Sequence, residues 1–493
     1  MAAFFDEATL DARLAWLLDR PRFATDGAHA MKPGLARMEA IMRAWDHPQR
    51  RYQVVHIAGT NGKGSAASAV AAMLLAAGMR VGLNTSPHLI SVGERIRVDG
   101  QAISLVDLAD LLEPHRALFD RLEATFFEII TAASFLWFAR SGVEIAVIEV
   151  GLGGELDATN VVTPTACGIT RIDFDHTAIL GDELSAIAAA KAGIIKAGIP
   201  VFVGAQHEEA AAVLRRRAHD VGAPLFEVSQ DTESVWVDPE ARAAARLAVR
   251  TPAHTYAPVA LDLGGAHQAE NMAVAVRIVE YIMRGQAAPI EALSSVGRLA
   301  GLRARQEWIV ADPTRGASAA HPPMLIDVAH NPNGLAALLR SVTGLGAGLV
   351  HRVDRRGVDE HGVDERGSGI SRVDVPNGLR GDVGSSVRPG SPVVVFGCMA
   401  DKAAATMLRM VAAARLSAFL VDLPSSRAMP VEDLVRIAQS EGVHVVGAGP
   451  AAQAYAWVRQ LGEDVSAVLV TGGHEVCARW IHVHESYKEG TRG

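Results

Sequence analysis

From Gln53 to Ala58 the chain reads QVVHIA, a β-branched run that stops at a glycine. Such a run bounded by a turn signal predicts a strand. SAASAVAAMLLAAG follows, small and apolar up to Gly78, and predicts a helix with glycine at its C-terminal end. The alternation then repeats. RVGLNT (Arg80–Thr85) reads as a strand, FEIITAASFLWFARSG as a buried helix, and IAVIEVG (Ile145–Gly151) as a strand apolar on both faces. Strands of that kind, separated by helices, predict an α/β fold whose parallel sheet is covered on both sides.

A second α/β pattern begins after residue 300. It runs from strand PMLIDVA to helix GLAALLRSV, strand PVVVFG, helix AAATMLRMVAAARL, strand AFLVDL and finally AVLVTGG. The expected organisation is an N-terminal P-loop-type ATPase domain over 1–298, a linker at 299–306, and a smaller doubly wound domain over 307–493. Near 350–391 the second domain is interrupted by a charged, glycine-rich stretch with the near-repeat RGVDE/HGVDE. It has no hydrophobic periodicity and is expected to be a disordered surface loop.

Composition narrows the function classes. A chain of 493 residues is long enough for at least two cores. Its net charge of −8 and the absence of a Lys/Arg cluster in any folded segment argue against nucleic acid as a partner. The three cysteines, Cys167, Cys398 and Cys477, have neither zinc nor redox spacing. The N-terminus is acidic where a signal peptide is basic, and the most apolar window, Ala66–Ala77, is about half the ~20 residues of a membrane span. A cytoplasmic protein that does not enter membranes is the expectation.

The turn after the first strand carries the chemistry. In HIAGTNGKGS the glycines Gly59, Gly62 and Gly64 let backbone N–H groups of Gly59–Ser65, including those of Thr60 and Asn61, converge on an anion. The helix that begins there adds its positive end, and Lys63 a point charge. The spacing is not that of a strict P-loop, in which the lysine follows the last loop glycine and precedes Ser or Thr directly. A P-loop kinase or GTPase is therefore excluded in its strict form, but ATP is not.

This spelling resembles the ATP loop of the folylpolyglutamate synthase/dihydrofolate synthase family, within the Mur ligase superfamily. Further strings follow in the family's order: TSPHLISVGERIRVDG, TFFEIITAASF, VIEVGLGGELDATN, ITRIDFDHTAILG, KAGIIK, IDVAHNPNG and VFGCMADK. The resemblance implies an ATP-dependent acid–amino-acid ligase acting on a pteroate or folate and L-glutamate, monomeric as in the family. It implies that Ser86, Glu149 and His176 hold one or two Mg²⁺ ions, hard or intermediate ligands at strand ends; His176 taken alone would more often be a structural hydrogen-bonding histidine, and the motif DFDH reverses that reading. It makes Lys191 a carbamylated lysine. Thr125, Phe127 and Asp157 would bind the pteridine, an aromatic face beside a carboxylate that accepts from an aminopyrimidine; Phe127 would also fit plain core packing. Asn271 would read the adenine, Asp327 and His330 would reach ribose and phosphates, and Arg305, or alternatively Arg303, would contact the phosphates.

The chain departs from the family pattern at four places. Glu155 stands where arginine is usual, Ala190 replaces the glutamate before the carbamylated lysine, AGLRARQEW lacks the usual proline of the linker, and the C-terminal VTGGHEV differs from the usual ending. Two other readings share the loop: a UDP-sugar peptide ligase, which would lack TSPHL and GLGGxLDATN, and a non-catalytic nucleotide-binding protein, which would not need Lys63, Glu149, His176 and Lys191 together.

Overall fold

The computed structural model describes residues 12–21, 34–237, 246–309, 322–343, 387, 391–425, 427–461 and 465–490. The stretch expected to be a disordered insertion lies, apart from Val387 and Ser391, outside the described residues. The chain divides into two compact units between Arg303 and Ala304.

The first unit is built on an eight-stranded sheet. Its strands are β1 (Gln53–Ala58), β2 (Val81–Asn84), β3 (Ile96–Val98), β4 (Gln101–Ala102), β5 (Ile145–Glu149), β6 (Ala166–Ile169), β7 (Val201–Val203) and β8 (Leu225–Glu227), in the order β4-β3-β2-β5-β1-β6-β7-β8. The pairs from β2 to β8 are parallel, while β3 and β4 add an antiparallel edge. Helices cover both faces because strand side chains alternate. Val55 and Ile57 of β1 join one core with the helices Lys63–Ala76 and Gln268–Ile282, whereas Val54 joins another with the helix Phe126–Arg140.

Every residue of Lys63–Ala76 from Gly64 to Leu74 is buried. Alanine and serine at these positions let the Gln268–Ile282 helix lie against it. A second sheet, antiparallel in the order β11-β10-β9, is formed by β9 (Glu233–Val237), β10 (Arg246–Arg250) and β11 (Val259–Ala260). β9 alternates exposed and half-buried positions while β10 buries Leu247 and Val249, and the parallel-sheet pattern gave no hint of this sheet.

The second unit holds a six-stranded sheet in the order β12-β13-β17-β14-β15-β16. Its strands are β12 (Arg305–Ile309), β13 (Met324–Asp327), β14 (Val393–Phe396), β15 (Ser417–Asp422), β16 (His444–Pro450) and β17 (Val468–Thr471). All pairs are parallel except β12 with β13. Two strands beyond the expected ones complete it. β12 begins at Arg305, so residues assigned to a linker already belong to the sheet, and 296–300 are helical. β16 contains Gly447 because a Cβ there would lie 2.6 Å from the Phe419 ring, and that glycine obscures the strand signal. Among the described residues no helix is long and apolar enough to cross a membrane.

Candidate active site

The phosphate loop joins the end of β1 to the helix at Lys63. Gly62 caps this helix with φ +86°, a left-handed conformation natural to glycine. A Cβ on Gly62 would fall 2.1 Å from Asn271 Oδ1. The loop and the predicted adenine-reading residue are therefore in direct contact. Asn271 is buried and oriented by donating to Gln268 Oε1 at 3.0 Å. The loop is also tied to the segment after β6. Thr60 and Asn61 donate their N–H groups to the Arg171 carbonyl, and the Thr60 hydroxyl donates to Asp173 O at 2.9 Å while accepting from Asp173 N at 3.0 Å. The Thr60 and Asn61 N–H groups are thus spent on Arg171 and not turned to an anion as the sequence suggested; anchored in this way, the loop leaves the first-turn N–H groups of Lys63, Gly64 and Ser65 without helical carbonyls to bond.

Two lysines meet at this loop. Lys63 Nζ donates to Thr60 O at 3.1 Å, and Lys191 Nζ donates to Gly59 O at 2.9 Å. Lys191 is 5% exposed. Burial, and then the neighbouring Lys63 charge, pull its pKa down to about 7, against the opposing pull of Asp175 and Asp157. A lysine in this state is a neutral amine for much of the time near pH 7, the form that reacts as a nucleophile.

Lys191 is delivered by close packing between the LGGELD loop and the AKAG segment. A Cβ on Gly154 would come within 3.0 Å of the Ala190 and Lys191 backbone, and one on Gly193 would meet Glu155 Cβ at 2.3 Å. Glu155 N donates to Ala190 O at 2.9 Å. Both unusual residues thus make this join through backbone atoms, and the Glu155 residue is exposed.

The three predicted pteridine residues have distinct local roles. Asp157 is buried, begins the short helix Ala158–Val161, and accepts from Leu152 N on Oδ2 and from Thr159 N on Oδ1. Burial raises its pKa and these donors oppose the rise. Phe127 lies against Gly151, where a Cβ would be 2.3 Å from its ring, and packs on the neighbouring core. Thr125 caps the Phe126–Arg140 helix in a reciprocal box with Glu128, whose carboxylate also receives Arg37 Nε at 2.9 and 3.1 Å. Thr125→Ala is expected to cost about 1 kcal/mol of stability through the lost cap, read as a lower midpoint in urea; a midpoint equal to that of the parent would contradict the capping role.

Of the predicted metal ligands, Ser86 and Glu149 are joined, Ser86 N donating to Glu149 Oε2 at 2.9 Å. Glu149 ends β5 and is buried. His176 adopts φ +52° at the start of a short helix and is exposed, its Nε2 3.9 Å from an Asp175 carboxylate oxygen. Among the described residues no three His, Cys, Asp or Glu side chains form a ready cation cage. The available donors, two oxygens and an imidazole, suit Mg²⁺ that takes its remaining ligands from water and phosphate.

The second unit carries its own cluster. Arg305 pairs with Asp327 across β12 and β13, next to a bulge at which Gln306 has φ +53°. Asp327 is buried and accepts from Gln306 N and Ala329 N at 2.9 and 2.8 Å. Burial raises its pKa, and Arg305 foremost among its neighbours opposes this. His330 Nδ1 lies 3.0 Å from Val328 O; the carbonyl accepts, so Nδ1 carries the proton.

Comparison with known proteins interprets this geometry. Residues 57–279 match the Mur ligase middle domain. The chain is 36% identical over 341 residues to the dihydrofolate synthase/folylpolyglutamate synthase of Bacillus subtilis, covering 67% of this chain and 75% of that relative. It belongs to the folylpolyglutamate synthase/dihydrofolate synthase family. The folylpolyglutamate synthase of Lacticaseibacillus casei is 34% identical over 343 residues, or 67% of this chain and 76% of the relative. The Mycobacterium tuberculosis folylpolyglutamate synthase, solved in complex with ADP, superposes with a TM-score of 0.73 at 27% identity, over 94% of this chain and 95% of that one.

Within the folylpolyglutamate synthase framework, several contributors have no local sequence signal. Arg171 and Asp173 brace the phosphate loop, Gln268 orients Asn271, and Arg37 holds Glu128. Their partners are remote in sequence except for Gln268, which lies one helical turn before Asn271 on the same helix.

Proposed function

We propose that this chain is an ATP-dependent ligase that joins L-glutamate to dihydropteroate, to reduced folates, or to both, through an acyl phosphate. The observation that carries the reading is the meeting of Lys63 and buried Lys191 on one glycine-rich anion loop, with Asn271 against Gly62. The pteridine acid is a poor electrophile until a carboxylate oxygen attacks the γ-phosphorus of ATP, forming the acyl phosphate as the bond to the β-phosphate breaks and ADP leaves. The α-amine of glutamate then attacks the acyl carbon, the C–N bond forms, the C–O bond to phosphate breaks, and the amine loses a proton. Lys63 and Arg305 serve by neutralising phosphate charge as it moves.

Asn271 holds the adenine, and Asp327 and His330 address the ribose and phosphates. Thr125, Phe127 and Asp157 hold the pteridine. Ser86, Glu149 and His176 are the residues that would hold Mg²⁺, which when bound supplies positive charge to the phosphate oxygens. Lys191 is suited to carbamylation: its neutral amine adds to the carbon of CO₂ and releases a proton, turning a cation into a carboxylate-like group. The occurrence of Lys63, Glu149, His176 and Lys191 together favours catalysis over passive nucleotide binding.

The test is phosphate release by the purified protein with Mg-ATP and L-glutamate, with dihydropteroate in one reaction and tetrahydrofolate in another. Release that requires both glutamate and one of these acids is expected. Release with dihydropteroate establishes dihydrofolate synthase activity; release with tetrahydrofolate alone restricts the protein to tail extension. No release with either acid, in a protein that still binds ATP, would refute the proposed reaction.

A further inference from the structure

β1 is apolar throughout its buried length except at one position. His56 is wholly buried, between Ile148 of β5 and Cys167 of β6 in register. A buried polar side chain in a central parallel strand costs stability unless it is hydrogen-bonded. Its one partner among the described residues is specific: Nε2 lies 2.9 Å from Thr159 Oγ1, and Nδ1 has none. Thr159, also fully buried, donates its hydroxyl proton to Asp157 Oδ1. A hydroxyl has one proton to give, so here Thr159 accepts from the histidine. His56 therefore carries its proton on Nε2, and the nitrogen left unpaired is the bare lone pair.

The chain of donors runs in one direction, from the His56 Nε2–H to the Thr159 Oγ1–H to the Asp157 carboxylate. Burial, with the Lys196 charge second, keeps the imidazole neutral by lowering its pKa to about 3. Thr159 places two donors on Oδ1, its hydroxyl and its backbone N–H, while Leu152 N–H donates to Oδ2. The carboxylate cannot turn without breaking these bonds.

We propose that His56 is a positioning residue for the acid substrate, fixing through Thr159 the orientation in which Asp157 accepts an N–H of the pteridine ring. This rests on the reading of Asp157 as a pteridine contact. Wholly buried and bonded to Thr159, His56 acts through that hydroxyl on one carboxylate, although its strand leads into the ATP loop.

The experiment measures KM for ATP and KM for whichever pteridine acid supports phosphate release, in His56→Leu, His56→Gln, Thr159→Val, Thr159→Ser and Asp157→Asn. His56→Leu and Thr159→Val are each expected to raise the acid's KM about tenfold, with the KM for ATP unchanged. The double variant is expected to be no worse than Thr159→Val alone within about twofold, because both changes break one relay. His56→Gln, which keeps an N–H donor, and Thr159→Ser, which keeps the hydroxyl, are expected to restore most of the affinity.

If Asp157→Asn leaves the acid's KM unchanged, the pteridine reading of Asp157 fails and the proposal with it. If Asp157→Asn raises that KM while His56→Leu and Thr159→Val do not, the proposal alone is overturned. A rise in both KM values in His56→Leu would mean that β1 itself is distorted and would likewise overturn it. Should His56→Leu fail to fold, the contrast between Thr159→Val and Thr159→Ser gives the same decision: equal KM values for the acid would sink the relay.

Discussion

Lys63→Met is expected to lower glutamate-dependent phosphate release by about a thousandfold, the scale on which removal of a charge that stabilises phosphoryl transfer is felt. The side chain stands in the first turn of a helix whose N-terminal amides already favour an anion, so ATP should still bind while turnover fails. A second effect follows from position. Lys63 is the main charge holding down the pKa of Lys191. Without it that pKa moves up from about 7, the neutral amine becomes scarcer at pH 7, and residual turnover shifts to higher pH.

Stability should report the same change. In the parent, the unfolded state binds more protons than the native state between about 7 and the ordinary lysine value of 10.5, so stability rises with pH through that window. Lys63→Met narrows the window from its lower end. Turnover numbers and urea midpoints between pH 6 and 9 check both effects. A kcat within tenfold of the parent would remove Lys63 from the phosphoryl-transfer machinery.

Gly62→Ala is expected to raise the KM for ATP at least about tenfold, because two costs coincide. The residue has φ +86°, and the added Cβ would be placed 2.1 Å from Asn271 Oδ1. Left-handed backbone costs a non-glycine residue about 1 kcal/mol, and the collision must push away either the loop or the Asn271 amide, proposed above to hold the adenine. Gly78→Ala separates these terms. Gly78 has φ +84° with nothing within 4 Å of the added atom, so its replacement should lower thermal stability while leaving the KM for ATP alone. Equal KM values for ATP in the two variants would show that contact with Asn271 does not matter.

The sequence revealed the strands that could be recognised one at a time. QVVHIA, IAVIEV and PVVVFG are short apolar runs with clear boundaries, and each is a strand in the structure. β3 and β4 were not legible, because at three and two residues with arginine and glutamine among them they look like loop. The site divided in the same way. Glycine spacing marked the phosphate loop, since each glycine is a local backbone requirement. Nothing local marked His56 as more than a polar residue in a strand, and Thr159 lies about a hundred residues away in the chain. The reciprocal bonds of Thr60 with Asp173 are equally long-range. Residues that bind through their own backbone can be read from a string; residues that work by bracing another emerge only when the fold has brought them together.

The all-buried helix behind the phosphate loop has a consequence for motion. An ordinary surface helix can fray from its exposed side, but Lys63–Ala76 has no exposed side between Gly64 and Leu74. From Ala66 onward its amides are bonded within the helix and can exchange with solvent only when the surrounding core opens, so the opening free energy there approaches that of the whole unit. In deuterium exchange these residues should be among the last to label, whether or not nucleotide is present. Nucleotide would then arrive at a cradle that is already rigid, and little of its binding energy would be spent on ordering the protein there.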